Sequence, residues 1–357
     1  LAERIDINQA AGRKPVTEKK IRGAWLQRLS HYAKQQLAHL PILSFSMNSS
    51  TPMMQTTNRD EAAGRLNLAV GIATSGRRDI LSETIKLLAA QKRLPDRLIV
   101  CPVKPDDVDS ARIAAFPASA EIVSGPVGLP AQRNRILAAC HDADVIVFFD
   151  DDFFVGATYL AAVEKIFLAN PKLVALTGEL LADGINGPGI GPREGLAILN
   201  DGDRAADKAS FLPISGTYGC NMAFRMAPIT AHALSFDENL PLYGWQEDID
   251  FSRRIGRHGT IGKSTALRGV HLGSKGGRTS GVRLGYSQIA NLIYLLRKGS
   301  IPAAYALRMI GRNMLANHVK VMKPEPWIDR RGRCRGNWIA VADWLRGQDD
   351  PRRILSL

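Results

Sequence analysis

The chain has 357 residues, room for one large α/β domain with extensions or for two domains, and its 45% apolar content is enough for a substantial core. The net charge of +13 is uneven: residues 251–357 carry 21 Lys and Arg against 5 Asp and Glu, whereas residues 61–250 carry 17 against 25. An acidic half joined to a basic tail points to an anionic partner, whether nucleotide phosphates, a lipid surface or nucleic acid. No apolar run approaches a membrane span, and no secretory signal is evident. Cys101, Cys140, Cys220 and Cys334 are far apart and form no zinc-type pattern, so reduced thiols in a cytoplasmic protein are expected.

Residues 1–64 are read as a basic leader, disordered or partly helical. Ile21, Trp25, Leu29 and Tyr32 recur at helical spacing among Lys19, Lys20, Arg22 and Arg28, which fits an amphipathic helix on a membrane. Translated upstream sequence before a start at Met47 or Met53 is the competing reading. From Leu66 the pattern changes. Leu66–Ala73 predicts a buried strand, Thr74–Asp79 a turn with Asp79 as N-cap, and Leu81, Ile85 and Leu88 a helix face. Arg97–Cys101 and Ala120–Val123 predict further strands, and Leu129–Pro130 opens a helix through Arg133, Ile136 and Leu137. Val145–Phe149 is five uninterrupted apolar residues, a strand buried on both faces. It ends on Asp150, Asp151 and Asp152. Three adjacent carboxylates repel unless something positive lies between them, and a hard divalent cation meets that need. An acidic turn after a strand is the plainer alternative.

Tyr159–Phe167 predicts a helix and Leu173–Gly178 a strand; strand–helix alternation at this rhythm argues for a mostly parallel sheet with right-handed crossovers. Residues 182–210, rich in Gly, Asp and Pro, are expected to form a long functional loop. Glu247 and Asp248 would open a helix, where the macrodipole favours carboxylates, either as a site or simply as caps. Lys275, Arg278 and Arg283 surround a Gly-rich segment that either closes over a diphosphate or is a solvated loop. From Ser287 the chain is expected to be helical and basic.

The order of these features carries more than any one of them. A strand ending in Asp150-Asp151-Asp152, followed later by Gly244-Trp245-Gln246-Glu247-Asp248-Ile249-Asp250, resembles the family 2 glycosyltransferases of the GT-A fold. The likeness runs from Leu68 to Arg283 and takes in the Thr74–Arg77 turn, Gln132-Arg133-Asn134 and Gly216–Arg225. It implies a Rossmann-like, mostly parallel α/β sheet flanked by helices, with a helical basic C-terminal extension. The implied division is a catalytic region at 65–285, split into nucleotide-binding (65–152) and acceptor (153–285) halves, and a helical region at 286–357.

Site roles follow from the resemblance. Ala73, Thr74, Ser75, Arg77, Arg133, Asn134, Asp150 and Asp151 are implied to bind the nucleotide-sugar. Asp106 stands in for an Asp that other members carry in an Asp-Asp-Gly-Ser strand end, which this chain lacks. Asp152, Asp150 and His271 are implied to hold Mg2+ or Mn2+, with a purely structural His271 as the alternative. Asp248 matches the catalytic base, and Glu247 and Trp245 the acceptor side. The implied reaction is inverting transfer of a single sugar from a nucleoside diphosphate to a glycan or lipid-linked acceptor, in surface or extracellular polysaccharide synthesis. The Gln-x-x-Arg-Trp signature of processive members is absent. Peripheral contact of the basic tail with an anionic inner membrane face stands beside an ordinary solvated face, and nucleic acid is not expected. A nucleotidyltransferase acting on a sugar phosphate and a non-catalytic nucleotide-sugar-binding protein are the rival readings.

Overall fold

The structure is a computed structural model, and it describes residues 64–204, 210–276 and 280–357. The expected leader therefore lies outside the described residues, as does Arg278. In chain order the elements are β1 (Leu68–Thr74), α1 (Arg78–Ala89), β2 (Arg97–Pro102), α2 (Ser110–Ala114), β3 (Ser119–Ile122), α3 (Leu129–Ala139), β4 (Val145–Asp150) and β5 (Phe153–Val155). Then come α4 (Tyr159–Ala169), β6 (Leu173–Asp183), α5 (Pro192–Arg204), β7 (Phe211–Pro213), β8 (Asn221–Arg225), α6 (Met226–Ala231) and α7 (Glu247–Ile255). The chain closes with β9 (Thr260–His271), α8 (Gly281–Lys298), α9 (Ala303–Lys320) and α10 (Arg330–Arg346).

Among the described residues the strands form one sheet in the order β3-β2-β1-β4-β8-β6-β9-β5, with β7 also paired to β9. β1 pairs in parallel with β2 and β4, β2 with β3, and β6 with β9. β8 runs the other way between β4 and β6, as do β5 and β7 against β9. The expected architecture, a mostly parallel α/β sheet flanked by helices with helices at the C-terminus, is the one found.

The apolar runs work because alternate side chains face opposite layers. Val145, Val147 and Phe149 join the core beneath α1 and α4, while Ile146 and Phe148 join the opposite core with Ile136 of α3 and Phe251 of α7. A third core, built from α8, α9 and α10, also takes in Leu240, Leu242, Trp245 and Ile249. The chain order reverses direction across the sheet between β1 and β4, and a crevice at such a switch point, outside the carboxyl ends of the strands, is where α/β sheets bind ligands. Ala73 lies in register with Asp150 at that end.

Three local expectations are corrected. Asp79 is not the N-cap of α1 but lies in its first turn; Arg77 occupies the N-cap position without a side-chain cap, because a guanidinium has no acceptor to offer the helix amides, and it reaches Asp151. Residues 182–210 are not one loop, since α5 fills Pro192–Arg204, with Pro192 pre-set for the first helical position and Glu194 in the first turn. The strand expected to stop at Gly178 continues to Asp183.

Candidate active site and metal centre

The acidic triplet divides its labour. Asp151 is buried under the β1–α1 turn, where its carboxylate accepts from Thr74 Oγ1 at 2.8 Å and pairs with Arg77 Nη1 at 2.8 Å. Burial pushes its pKa up to about 6, against the pull of Arg77. Arg77 also donates to the carbonyls of Gly276 (2.9 Å) and Ser274 (3.2 Å), so this carboxylate and guanidinium tie the segment after β9 to the first turn. Asp151 is thus an anchor between the first turn and the segment after β9.

Asp150, Asp152 and His271 face one another, with one ligand atom from each lying within 4.8 Å of the others. Asp152 is 1% exposed; its Oδ2 accepts from the Ser274 amide at 2.7 Å. Burial works against ionisation here, yet His271, Arg77 and that amide hold the carboxyl below its ordinary range. Asp152 Oδ1 has no hydrogen-bond partner among the described residues and lies 3.4 Å from His271 Nε2. His271 Nδ1 is 2.8 Å from Asp183 Oδ1, and Tyr218 donates its hydroxyl to Asp183 Oδ2 at 3.0 Å. This pairing fixes a tautomer with the proton on Nδ1 and leaves Nε2 turned toward Asp152, which is how metal-binding imidazoles are prepared. Without a cation, burial opposes protonation but Asp152 and Asp183 lift the imidazole to about 10. An unpartnered buried carboxylate oxygen, a second carboxylate and an oriented imidazole suit a hard divalent ion such as Mg2+ or Mn2+.

The second acidic pair is delivered by a constrained loop. Leu242 (φ 59°), Gly244 (φ 60°) and Gln246 (φ 75°) are all left-handed before α7 begins. A Cβ at Gly244 would meet Pro130 Cγ at 2.8 Å, so the loop lies against the start of α3 as only glycine allows. Such strain persists where surrounding structure over-determines it. The C-terminal helices supply that hold: Asn291 Nδ2 donates to the Trp245 carbonyl at 2.8 Å, and Tyr305 donates to Gln246 Oε1 at 2.7 Å.

Arg133 joins the two acidic sites. Fully buried on α3, it pairs with Glu247 Oε1 through Nη1, while Nη2 reaches Asp150 Oδ1 at 3.0 Å and the Gly219 carbonyl at 2.8 Å. The Gly219 amide in turn donates to Asp248 Oδ2 at 3.0 Å, and the Ile249 amide to Asp248 Oδ1 at 2.8 Å. Burial raises the Asp248 pKa, opposed by these amides and by Arg133. Burial also pushes Glu247 up to about 8 despite Arg133, and its Oε2 has no partner among the described residues. Asp152 and Asp248 therefore belong to one continuous constellation.

Other expected residues fall elsewhere. Asp106 is exposed; the neighbouring Asp107 is the carboxylate that accepts from the Gly76 amide at 2.8 Å. Asn134 is clamped to the backbone of Phe236 and to Glu238, away from both carboxylate groups. Ala73 and Ser75 stand at the end of β1 and in the turn after it, Ser75 exposed. Lys275 donates to the Gly184 and Ile185 carbonyls, and Arg283 to the Leu357 carbonyl. Sequence reasoning missed Asp183 and gave no role to Tyr218 and Gly219, although both lie in the Gly216–Arg225 stretch; none of the three sits in a charged or apolar run.

No family model matches the chain, and no curated protein matches it. Among solved structures it is similar to S. aureus TarS, with 13% identity and a TM-score of 0.48, over 82% of this chain but only 50% of that chain. It is also similar to the mannosyltransferase PcManGT from Pyrobaculum calidifontis in complex with GDP-Man and Mn2+ (12% identity, TM-score 0.46, 94% of each chain). A third similar structure is GalNAc-T7 with UDP, GalNAc and Mn2+ (12% identity, TM-score 0.49, 82% of this chain and 58% of that chain). Likenesses at this level leave the function to be argued from the site itself.

Proposed function

We propose that this chain is an inverting, metal-dependent glycosyltransferase of the GT-A type, related to family 2, that moves one sugar from a nucleoside diphosphate to a hydroxyl of a glycan or lipid-linked acceptor. The observation that carries the reading is the bridge through Arg133 and Gly219, which links a cation-ready cluster to a separate carboxylate helix. On this reading Asp150, Asp152 and His271 would hold Mg2+ or Mn2+, which would supply Lewis-acid neutralisation of the diphosphate's charge. Thr74, Ser75 and Arg77 line the nucleotide side.

The acceptor oxygen forms a bond to the anomeric carbon as the bond from that carbon to the diphosphate oxygen breaks, and the acceptor proton passes to Asp248. A single displacement of this kind inverts the centre. Each Asp248 oxygen spends one lone pair on a backbone amide, which leaves the second free for the incoming hydroxyl. The raised pKa of Asp248 makes it a better proton acceptor than an ordinary carboxylate. Glu247, held by Arg133, and Trp245 border the acceptor side; a surface or extracellular polysaccharide is the acceptor class this reading favours.

A nucleotidyltransferase needs free backbone amides beside the first strand to cradle phosphates. Here the Gly76 amide is already committed to Asp107. The test is a donor screen that reads released nucleoside diphosphate with and without Mn2+. Metal-dependent release from one nucleotide-sugar, accelerated by acceptor, is expected; no release from any donor would overturn the proposal.

A further inference from the structure

We infer that the outer face of α9, extended by α10, docks on an anionic lipid surface. Leu315, Val319 and Met322 follow one another at helical spacing along α9 and the turn after it, and they are 66%, 61% and 87% exposed. Large apolar residues in one exposed line mark an interaction face. Arg308 and Arg312 continue the same stripe toward the helix start, and Lys323 and Lys320, the latter paired with Glu325 at 2.7 Å, flank its end, all four exposed. Residues 303–323 contain no Asp or Glu.

The neighbouring helix adds to this face. Arg331, Arg335 and Trp338 are exposed at matching spacing on α10. Trp338 packs edge-on against His318 of α9 at 5.8 Å and donates to its Nε2 at 2.8 Å, which joins the two surfaces. An aliphatic ridge rimmed by cations, with an indole at its margin, matches a bilayer interface: the ridge enters the headgroup–acyl boundary while the cations meet anionic headgroups.

Charge selects among occupants. A second copy of this face would set cations against cations, which like-charge repulsion disfavours. Nucleic acid would meet the cations but would leave the Leu–Val–Met ridge against phosphate, with one aromatic ring to stack on. Only an anionic surface with an apolar layer beneath it satisfies both parts. Tyr305, in the first turn of α9, also holds Gln246 beside the acceptor-side carboxylates. A docked α9 therefore ties the membrane face to the loop that would receive a lipid-linked acceptor. That last link rests on the transferase reading; the docking does not.

The test is sedimentation of the full chain with phosphatidylcholine vesicles, with and without phosphatidylserine. Binding to the anionic vesicles alone is expected. Arg308→Ala and Arg312→Ala should each weaken it about fivefold, the weight of one cation near such a surface. The triple variant Leu315→Glu, Val319→Glu, Met322→Glu should abolish it. All three changes are on the surface, so circular dichroism and metal-dependent donor cleavage should match the parent. Equal binding to neutral vesicles, undiminished binding by the triple variant, or competition by RNA at equal strength would overturn the assignment. Lipid binding is read without turnover, so failure of the transferase proposal and failure of this one are distinguishable.

Discussion

Asp248→Asn gives the sharpest test of the site. Both oxygens of Asp248 accept backbone amides, from Gly219 and Ile249. An asparagine offers one oxygen and one NH2 group, so one amide N–H must face another donor. Leaving such a group unsatisfied in a part-buried site costs about 1–2 kcal/mol. The chemical loss is much larger, because removal of a general base typically costs about a hundred- to ten-thousand-fold in rate. Urea unfolding should show a modest drop in midpoint at unchanged slope. Nucleoside diphosphate release with acceptor should collapse, while donor affinity, read by calorimetry in the presence of Mn2+, stays near the parent value. Turnover within tenfold of the parent would refute the base assignment. A large loss of donor affinity would refute the separation of donor and acceptor sides.

Arg133→Met strips Glu247 and Asp150 of a buried counter-ion, which should cost about 3–5 kcal/mol; Glu247→Gln in the same background should return part of it. Equal costs in both backgrounds, read by urea midpoints, would dismiss Arg133 as the counter-ion. Asp183→Asn should weaken Mn2+ binding about ten- to a hundredfold in titration calorimetry by loosening His271, and unchanged affinity would leave His271 without a metal role. Burial lifts Glu247 from 4.5 to about 8. The folded state therefore holds a proton that the unfolded state releases, and stability should fall as pH climbs through that window. Glu247→Gln should flatten this limb of the pH–stability curve, and a curve of unaltered slope would count against the raised pKa.

The first half of the sheet was legible because β1, β2 and β4 are short apolar runs that only a two-sided core accommodates. β9 was not, since Lys263, Ser264, Thr265 and Arg268 interrupt its pattern. α5 hid in Gly and Asp, although Pro192 and Glu194 mark its start and Leu196, Ile198 and Leu199 its apolar side. At the site, the carboxylates announced themselves by clustering. Their supports did not: Asp183 acts through a lone carboxylate and Gly219 through its backbone N–H and carbonyl, and both become visible only when β6, β8 and β9 come together. Asp106 and Asp107 are alike in sequence, and only the fold of the turn decides which one is buried.

The left-handed residues ahead of α7 are braced from outside the sheet, by Asn291 and Tyr305. The terminal helices are in that sense a splint on the loop that leads into α7. A chimera that exchanged residues 281–357 alone would strand Trp245 and Gln246 without their braces. Grafts of the C-terminal helices should therefore carry residues 240–357 as one block.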